Sequence, residues 1–165
     1  MKKLLIFISM LVLLCSCDPE SLLNPPYIGI WYVQNNSTQN LYIRASTINF
    51  KSDSISIDAG DSAILANGRA PYEDQLYFDL IAHTRLPNDN TYVEFYSDPE
   101  FKSLIKGWYE SEADNPTGHK FLFSESSWTA RSWQQDLNGR KNYYTYHTWT
   151  YTVTDDDLKA WEAGQ

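Results

Sequence analysis

The side chains with reactive chemistry are few and scattered. His83, His119 and His147 are the only histidines, and none stands in a metal-ligand spacing such as His-Glu-x-x-His. His147 shares a strand face with Trp149, which predicts a partly buried structural role. His119 follows Asn115-Pro116-Thr117-Gly118, which places it on an exposed loop. Asp155, Asp156 and Asp157 gather the carboxylates a hard cation wants, but an EF-hand loop alternates its ligands around a glycine. Acidic residues in a first helical turn are stabilised by the helix dipole. The triplet is therefore expected to cap a helix, and no metal site is expected. The chain contains no Gly-x-Ser-x-Gly elbow, phosphate-cradling glycine loop or dinucleotide fingerprint. Paired carboxylates for glycoside hydrolysis leave no spacing signature. The expectation is a protein with no reaction and no cofactor, with a small hydrolase as the least supported alternative.

Aromatic rings are the stronger functional signal. Six Trp and twelve Tyr in 165 residues exceed what a core of this size usually takes, so some rings are expected on the surface. Trp108, Trp128 and Trp133 lie in or beside segments rich in Ser, Asn, Gln and Asp. In that setting a flat ring can stack on a sugar face while polar neighbours bind its hydroxyls. The competing expectation is that these rings plug the ends of the fold. Carbohydrate binding requires at least two of the three on one face.

The amino terminus carries a different chemistry, that of a thiol. Lys2 and Lys3 precede an apolar run from Leu4 to Leu14, and the run is too short for the roughly 20 residues of a membrane span. It ends at Leu14-Cys15-Ser16-Cys17, which resembles the lipobox of bacterial lipoproteins: an aliphatic residue, two small residues, then the cysteine that accepts a diacylglyceryl group. Residues 1–16 are expected to be a cleaved signal peptide, residues 17–26 a lipidated tether, and residues 27–165 one domain. Cys15 would leave with the signal and Cys17 would be acylated, so no disulfide is available. Stability must come from packing, and a chain of this length can bury enough surface to fold alone.

The two signal lysines also leave, so the mature chain carries 11 Lys plus Arg against 21 Asp plus Glu, a formal charge of −10. Nucleic-acid binding gains most of its affinity from basic side chains on phosphates, so no nucleic-acid partner is expected. Attraction to anionic headgroups is likewise not expected. The membrane would be a partner through acyl chains on Cys17 alone, and two or more chains suffice for stable anchoring.

The elements that must position these residues are strands. From Tyr27 onward the pattern has period two more often than 3.6, is rich in Tyr, Trp, Thr, Ile and Phe, and is cut by Asn, Asp, Gly and Pro clusters. Strands are expected at Tyr27–Val33, at Leu41–Ile48 with Leu41, Ile43 and Ala45 inward, and at Ile55–Ile57. Gly60 is expected to supply the positive φ of a turn leading to Ala63–Ala66. Further strands are expected from Leu76 to His83 and from Tyr92 to Tyr96. Phe101, Leu104, Ile105 and Trp108 fall at helical spacing, so residues 98–108 fit a short helix or a hairpin equally. In the last strand Trp149, Tyr151 and Val153 are expected inward and the threonines outward. Thr154 with Asp157 then starts a short terminal helix.

Many short strands with no crossover helix define a mostly β chain. A single antiparallel β-sandwich, immunoglobulin-like or transthyretin-like, with a short C-terminal helix is expected, and a β-barrel is the alternative.

Several segments together carry a resemblance: the lipobox, the Asn35-Asn36-Ser37-Thr38 turn, Ile57-Asp58-Ala59-Gly60-Asp61-Ser62, Phe121-Leu122-Phe123-Ser124-Glu125-Ser126-Ser127-Trp128, and Tyr151 to Leu158. Taken together the chain resembles the small uncharacterised lipoproteins of Bacteroides-type bacteria. The resemblance implies an envelope location and a β-rich domain, and brings no reaction, cofactor or catalytic residue. Asp53-Ser54-Ile55 and Asp61-Ser62-Ala63 match a triplet that resembles the O-glycosylation acceptor of such envelope proteins, which would make Ser54 and Ser62 modification sites. Asp18 beside the lipidated cysteine would fit inner-membrane retention under the sorting rule of enteric bacteria, whereas Asp18 and Glu20 together fit the surface export of Bacteroides-type cells; an outer-membrane location, on the periplasmic or surface face, is the expectation. The expected function is a membrane-anchored binding or structural module without catalysis, with a carbohydrate-binding accessory lipoprotein as the alternative. Its partner is a glycan or a protein that the sequence does not name.

Overall fold

Alternating side chains build this molecule, because successive residues of a strand point to opposite faces. The computed structural model describes residues 27–45, 54–70, 91–113, 115–136 and 143–164. The signal segment, Cys17, the tether and the strand expected from Leu76 to His83 lie outside the described residues. The strands are β1 (Tyr27–Asn36), β2 (Leu41–Ala45), β3 (Ser54–Ile57), β4 (Ser62–Ala70), β5 (Tyr92–Tyr96), β6 (Leu104–Tyr109), β7 (Thr129–Asp136) and β8 (Tyr143–Thr154). Helix α1 (Asp155–Ala163) follows directly.

The strands divide into two sheets of four. Sheet A has the order β4-β1-β8-β7 and sheet B the order β3-β2-β5-β6. One buried cluster joins them, with Trp31, Leu65, Trp149 and Tyr151 from sheet A and Leu41, Ile43, Phe95 and Trp108 from sheet B. This is a β-sandwich with a short C-terminal helix, and among the described residues the sheets do not close into a barrel.

Sheet B is antiparallel throughout. Sheet A departs from the wholly antiparallel expectation: β1 pairs antiparallel with β4 but parallel with β8, and β7 runs antiparallel to β8. The parallel register sets Trp31 directly beside Trp149, with their rings stacked 4.7 Å apart. Two indoles packed face to face bury a large apolar area at the centre of the sheet.

Two bulges adjust the inward set. On β4, Ala66 pairs with Trp31 and Ile64 with Tyr32, so Leu65 is the extra residue and both Leu65 and Ala66 are buried. On β6, Lys106 pairs with Phe95 and Leu104 with Tyr96, so Ile105 is the extra residue. A bulge adds one residue to one strand and breaks the period of two. Ile105 and Trp108 thereby both face the core at a spacing of three. Residues 97–109 form the second arm and turn of a hairpin, not a helix, and the Asp98 carboxylate holds the turn by accepting from the backbone amides of Glu100, Lys102 and Ser103.

Asn35 ties two corners together. It is fully buried, and its Nδ2 donates to the carbonyls of Gln39, Ile57 and Asp58 while its Oδ1 accepts from Ser37. Gly60, at φ +88°, turns the chain from β3 in sheet B to β4 in sheet A, as its sequence context predicts.

Helix α1 closes one end of the sandwich. Thr154 and Asp157 form the expected capping box, and Leu158 and Trp161 are buried. Trp161 meets Trp108 and Phe95 edge-to-face, at 5.2 Å and 6.2 Å.

Candidate functional site

The outward positions of sheet A form a continuous surface. Register places Tyr32 of β1 beside Thr150 of β8, which faces Thr129 of β7; Arg131 faces Thr148, and Trp133 faces Tyr146. A groove of about 430 Å³ runs between these strands, lined by Tyr32, Arg131, Trp133 and the threonines at 129, 148, 150 and 152. Threonine suits such a surface because its branched side chain favours strands and keeps few rotamers.

Trp133 is the exposed ring of this face, at 44% accessibility, and its indole lies nearly parallel to Tyr146 at 5.3 Å. Tyr144 adds a tilted ring 6.4 Å from Tyr146. Arg131 is exposed and its guanidinium makes no ion pair among the described residues. The outward positions of β4, β1, β8 and β7 carry no carboxylate, although the chain as a whole has a formal charge of −8.

The three tryptophans singled out as stacking candidates do not come together. Trp108 is 1% exposed and packs edge-to-face on Phe95 and Trp161. Trp128 is 8% exposed, and its Nε1 donates to the Leu122 carbonyl at 2.7 Å. Both are core residues, which corrects the expectation that they stack on a ligand. Their polar sequence neighbours are turn and strand-end residues that place the rings inward. Only Trp133 of the three stands at the surface, and its companions are Tyr146, Tyr144 and Tyr32. The threonines of β8 do point outward, but Thr148 is 6% exposed, screened by its neighbours on the same face.

The outward face of sheet B is also aromatic and is organised differently. Glu94 accepts from Tyr96 Oη at 2.7 Å and from Tyr109 Oη at 2.8 Å. The Tyr109 ring reaches Glu94 across Gly107, where a Cβ would sit 2.7 Å from the phenol oxygen. The hydrogen bond to Glu94, then burial, pushes the Tyr109 phenol up to about 12. A phenol held this firmly protonated is a hydrogen-bond donor and not a nucleophile. Arg44 lies 5.2 Å over the Phe101 ring, and Tyr96 packs on the same ring edge-to-face.

Two polar clusters contain histidine. Ser132 Oγ and His147 Nδ1 are 2.8 Å apart across β7 and β8, within proton-transfer reach. Ser132 stands on a strand whose residues from Thr129 to Gln135 are all exposed, so nothing excludes water from it. His147 stacks on Trp149 as its strand position predicts. At the sandwich end, buried Asp157 binds His119 Nε2 at 2.6 Å and Lys120 Nζ at 2.8 Å, and accepts from Thr154. Burial alone would push its carboxyl up, but the hydrogen bonds from Lys120, His119 and Thr154 bring it down to about 2. Lys120 also donates to the Thr152 carbonyl, and Tyr151 Oη to the Lys120 carbonyl at 2.6 Å. These bonds fix the 115–128 segment to the core and leave Asp157 no coordination site to offer. Asp155 accepts from Thr38 N and Oγ1, pinning α1 to the β1–β2 turn. Among the described residues no three His, Cys, Asp or Glu side chains gather closely enough to hold a metal ion.

Ser54 and Ser62 are exposed, each at the first position of its strand. Arg131, Tyr146 and the threonine row are site residues that sequence reasoning did not single out. The alternation of β8 was a signal for the threonines, while Arg131 and Ser132 depend on the pairing of β7, which sequence does not display.

Comparison with protein-family models, with characterised proteins and with solved structures finds no match in any of the three, so the functional reading rests on the residues themselves.

Proposed function

We propose that the chain is a lipid-anchored, non-catalytic binding module of the cell envelope, held through acyl chains on Cys17 and working through the outward face of sheet A. One observation carries this reading: on an acidic protein, that face combines an exposed indole, a hydroxyl row and a guanidinium that, among the described residues, has no ion-pair partner and no carboxylate beside it. Side chains that already satisfy one another have little to offer a partner, whereas these retain free hydrogen-bonding capacity and an open ring. The lipobox-like segment supports the anchor, and the resemblance to Bacteroides-type lipoproteins supports placement at the outer membrane. In the same reading Ser54 and Ser62 are glycan acceptors, consistent with their exposure.

The test is photo-crosslinking in cells from a diazirine amino acid placed at residue 133 or at residue 104, which is exposed on the other sheet. Adducts at 133 and none at 104 are expected; adducts at both or only at 104 would contradict the reading. Growth with a labelled fatty acid should label the protein and leave a Cys17→Ala variant unlabelled.

The Ser132–His147 pair favours a second reading, a small serine hydrolase. A fluorophosphonate probe that labels the protein, and fails to label Ser132→Ala, would establish it in place of the first.

A further inference from the structure

We infer that the groove on sheet A binds an acidic polysaccharide, with a sugar ring stacked on Trp133 and a ring carboxylate paired with Arg131. This rests on the binding-module reading above and names its ligand class.

Three features select this chemistry. Trp133 exposes one ring face while the other rests on Tyr146, so the indole is held in a fixed orientation before any ligand arrives. A flat, preoriented indole suits the apolar face of a pyranose and loses little conformational freedom on binding. Thr150 and Thr152 continue outward along β8 at about 6.8 Å per pair of residues, with Thr129 across from Thr150, so hydroxyls repeat along the groove. Short branched side chains present them at small entropic cost. Arg131 stands between Thr129 and Trp133 on the same face, exposed and without a carboxylate partner among the described residues. Its planar fork matches a carboxylate in two parallel hydrogen bonds.

Charge narrows the class further. A neutral glycan leaves the guanidinium unused. Nucleic acid or an anionic membrane surface needs many cations, and the outward positions of sheet A supply only Arg131 and Arg69. One ring platform, a line of hydroxyls and one cation beside the ring correspond to a glycan that sets a single carboxylate against the groove.

The full-length lipoprotein in detergent micelles, titrated calorimetrically, tests this. The ligands are oligogalacturonate, oligomannuronate and hyaluronan oligomers, with methyl-esterified oligogalacturonate as the neutral counterpart. At least one acidic chain should bind, and Arg131→Gln should weaken it at least about tenfold, the value of one charge-assisted contact. The same variant should weaken binding of the methyl ester by much less than binding of the acid. Trp133→Ala should remove both, with the thermal midpoint unaltered. The inference is overturned if no acidic chain binds, or if binding survives Arg131→Gln. If the ester binds as tightly as the acid and only Trp133→Ala abolishes it, the ligand class is wrong and the binding face stands. If neither variant changes the binding observed, the assignment of the face falls as well.

Discussion

The two outward faces of the sandwich use the same residue types to opposite ends. On sheet B, Glu94 takes hydrogen bonds from Tyr96 and Tyr109, and Arg44 is spent on the Phe101 ring. On sheet A, Trp133 rests on Tyr146, and among the described residues Arg131 has no carboxylate and the groove threonines at 129, 148, 150 and 152 make one hydroxyl bond, a long one of 3.4 Å from Thr148 to the Arg131 carbonyl. An abundance of aromatic and polar side chains is therefore no sign of a ligand in itself. What distinguishes a binding surface is that its groups are left unsatisfied by one another.

The comparison can be broken most forcefully at Trp108. Trp108→Ala should cost about 3–5 kcal/mol, because the indole is buried against Phe95, Tyr151 and Trp161. Urea unfolding measures it, and a loss below about 1 kcal/mol would mean the ring is not a core residue.

The sandwich end that joins the two sheets should be nearly as sensitive. Asp157→Ala should cost about 3 kcal/mol by stranding Lys120 and removing the carboxylate half of the α1 capping box. Because the folded carboxyl sits at about 2, below its ordinary 3.8, its stabilisation is present above about pH 4 and is lost as pH falls through about 2. The stability gap between wild type and Asp157→Ala should therefore be full at pH 7 and narrow between pH 4 and pH 2. A gap independent of pH would show that the charge on Asp157 is not what matters.

Glu94→Gln sharpens the contrast from the sheet B side. It should cost about 1 kcal/mol and bring the Tyr109 phenol from about 12 back toward its ordinary 10, since the carboxylate is the first cause of that shift. Absorbance titration of tyrosinate reads the change directly, and an unchanged titration would remove Glu94 as the organiser of that face.

Trp133→Ala makes the smallest prediction, a stability change within about 0.5 kcal/mol. The same substitution in the same residue type thus separates core from surface, and a large loss at 133 would erase the distinction between the two faces.

Much of this architecture was legible where one rule acts locally. The alternation of β8 has one apolar face and one of threonines, so Trp149, Tyr151 and Val153 could be set inward without knowing their partners. Thr154 and Asp157 announce a capping box at fixed spacing, and Gly60 marks its turn. Segment 98–108 resisted because the bulge at Ile105 brings Ile105 and Trp108 to one face three residues apart, imitating a helix. Strand β7 gave no signal because all its side chains from Thr129 to Gln135 are exposed, so neither face is apolar. Without β7, nothing distinguished buried Trp128 from exposed Trp133 five residues on. The parallel pairing of the first and last strands joins segments more than a hundred residues apart, which no local pattern encodes.

Hydroxyl-radical footprinting of intact cells and of the purified protein reads which sheet face is covered. Oxidation of Trp133 and Tyr146 should fall on cells while that of Leu104, exposed on sheet B, stays the same. Unchanged oxidation of Trp133, or protection of Leu104 in its place, would contradict the assignment of sheet A as the surface that meets a partner.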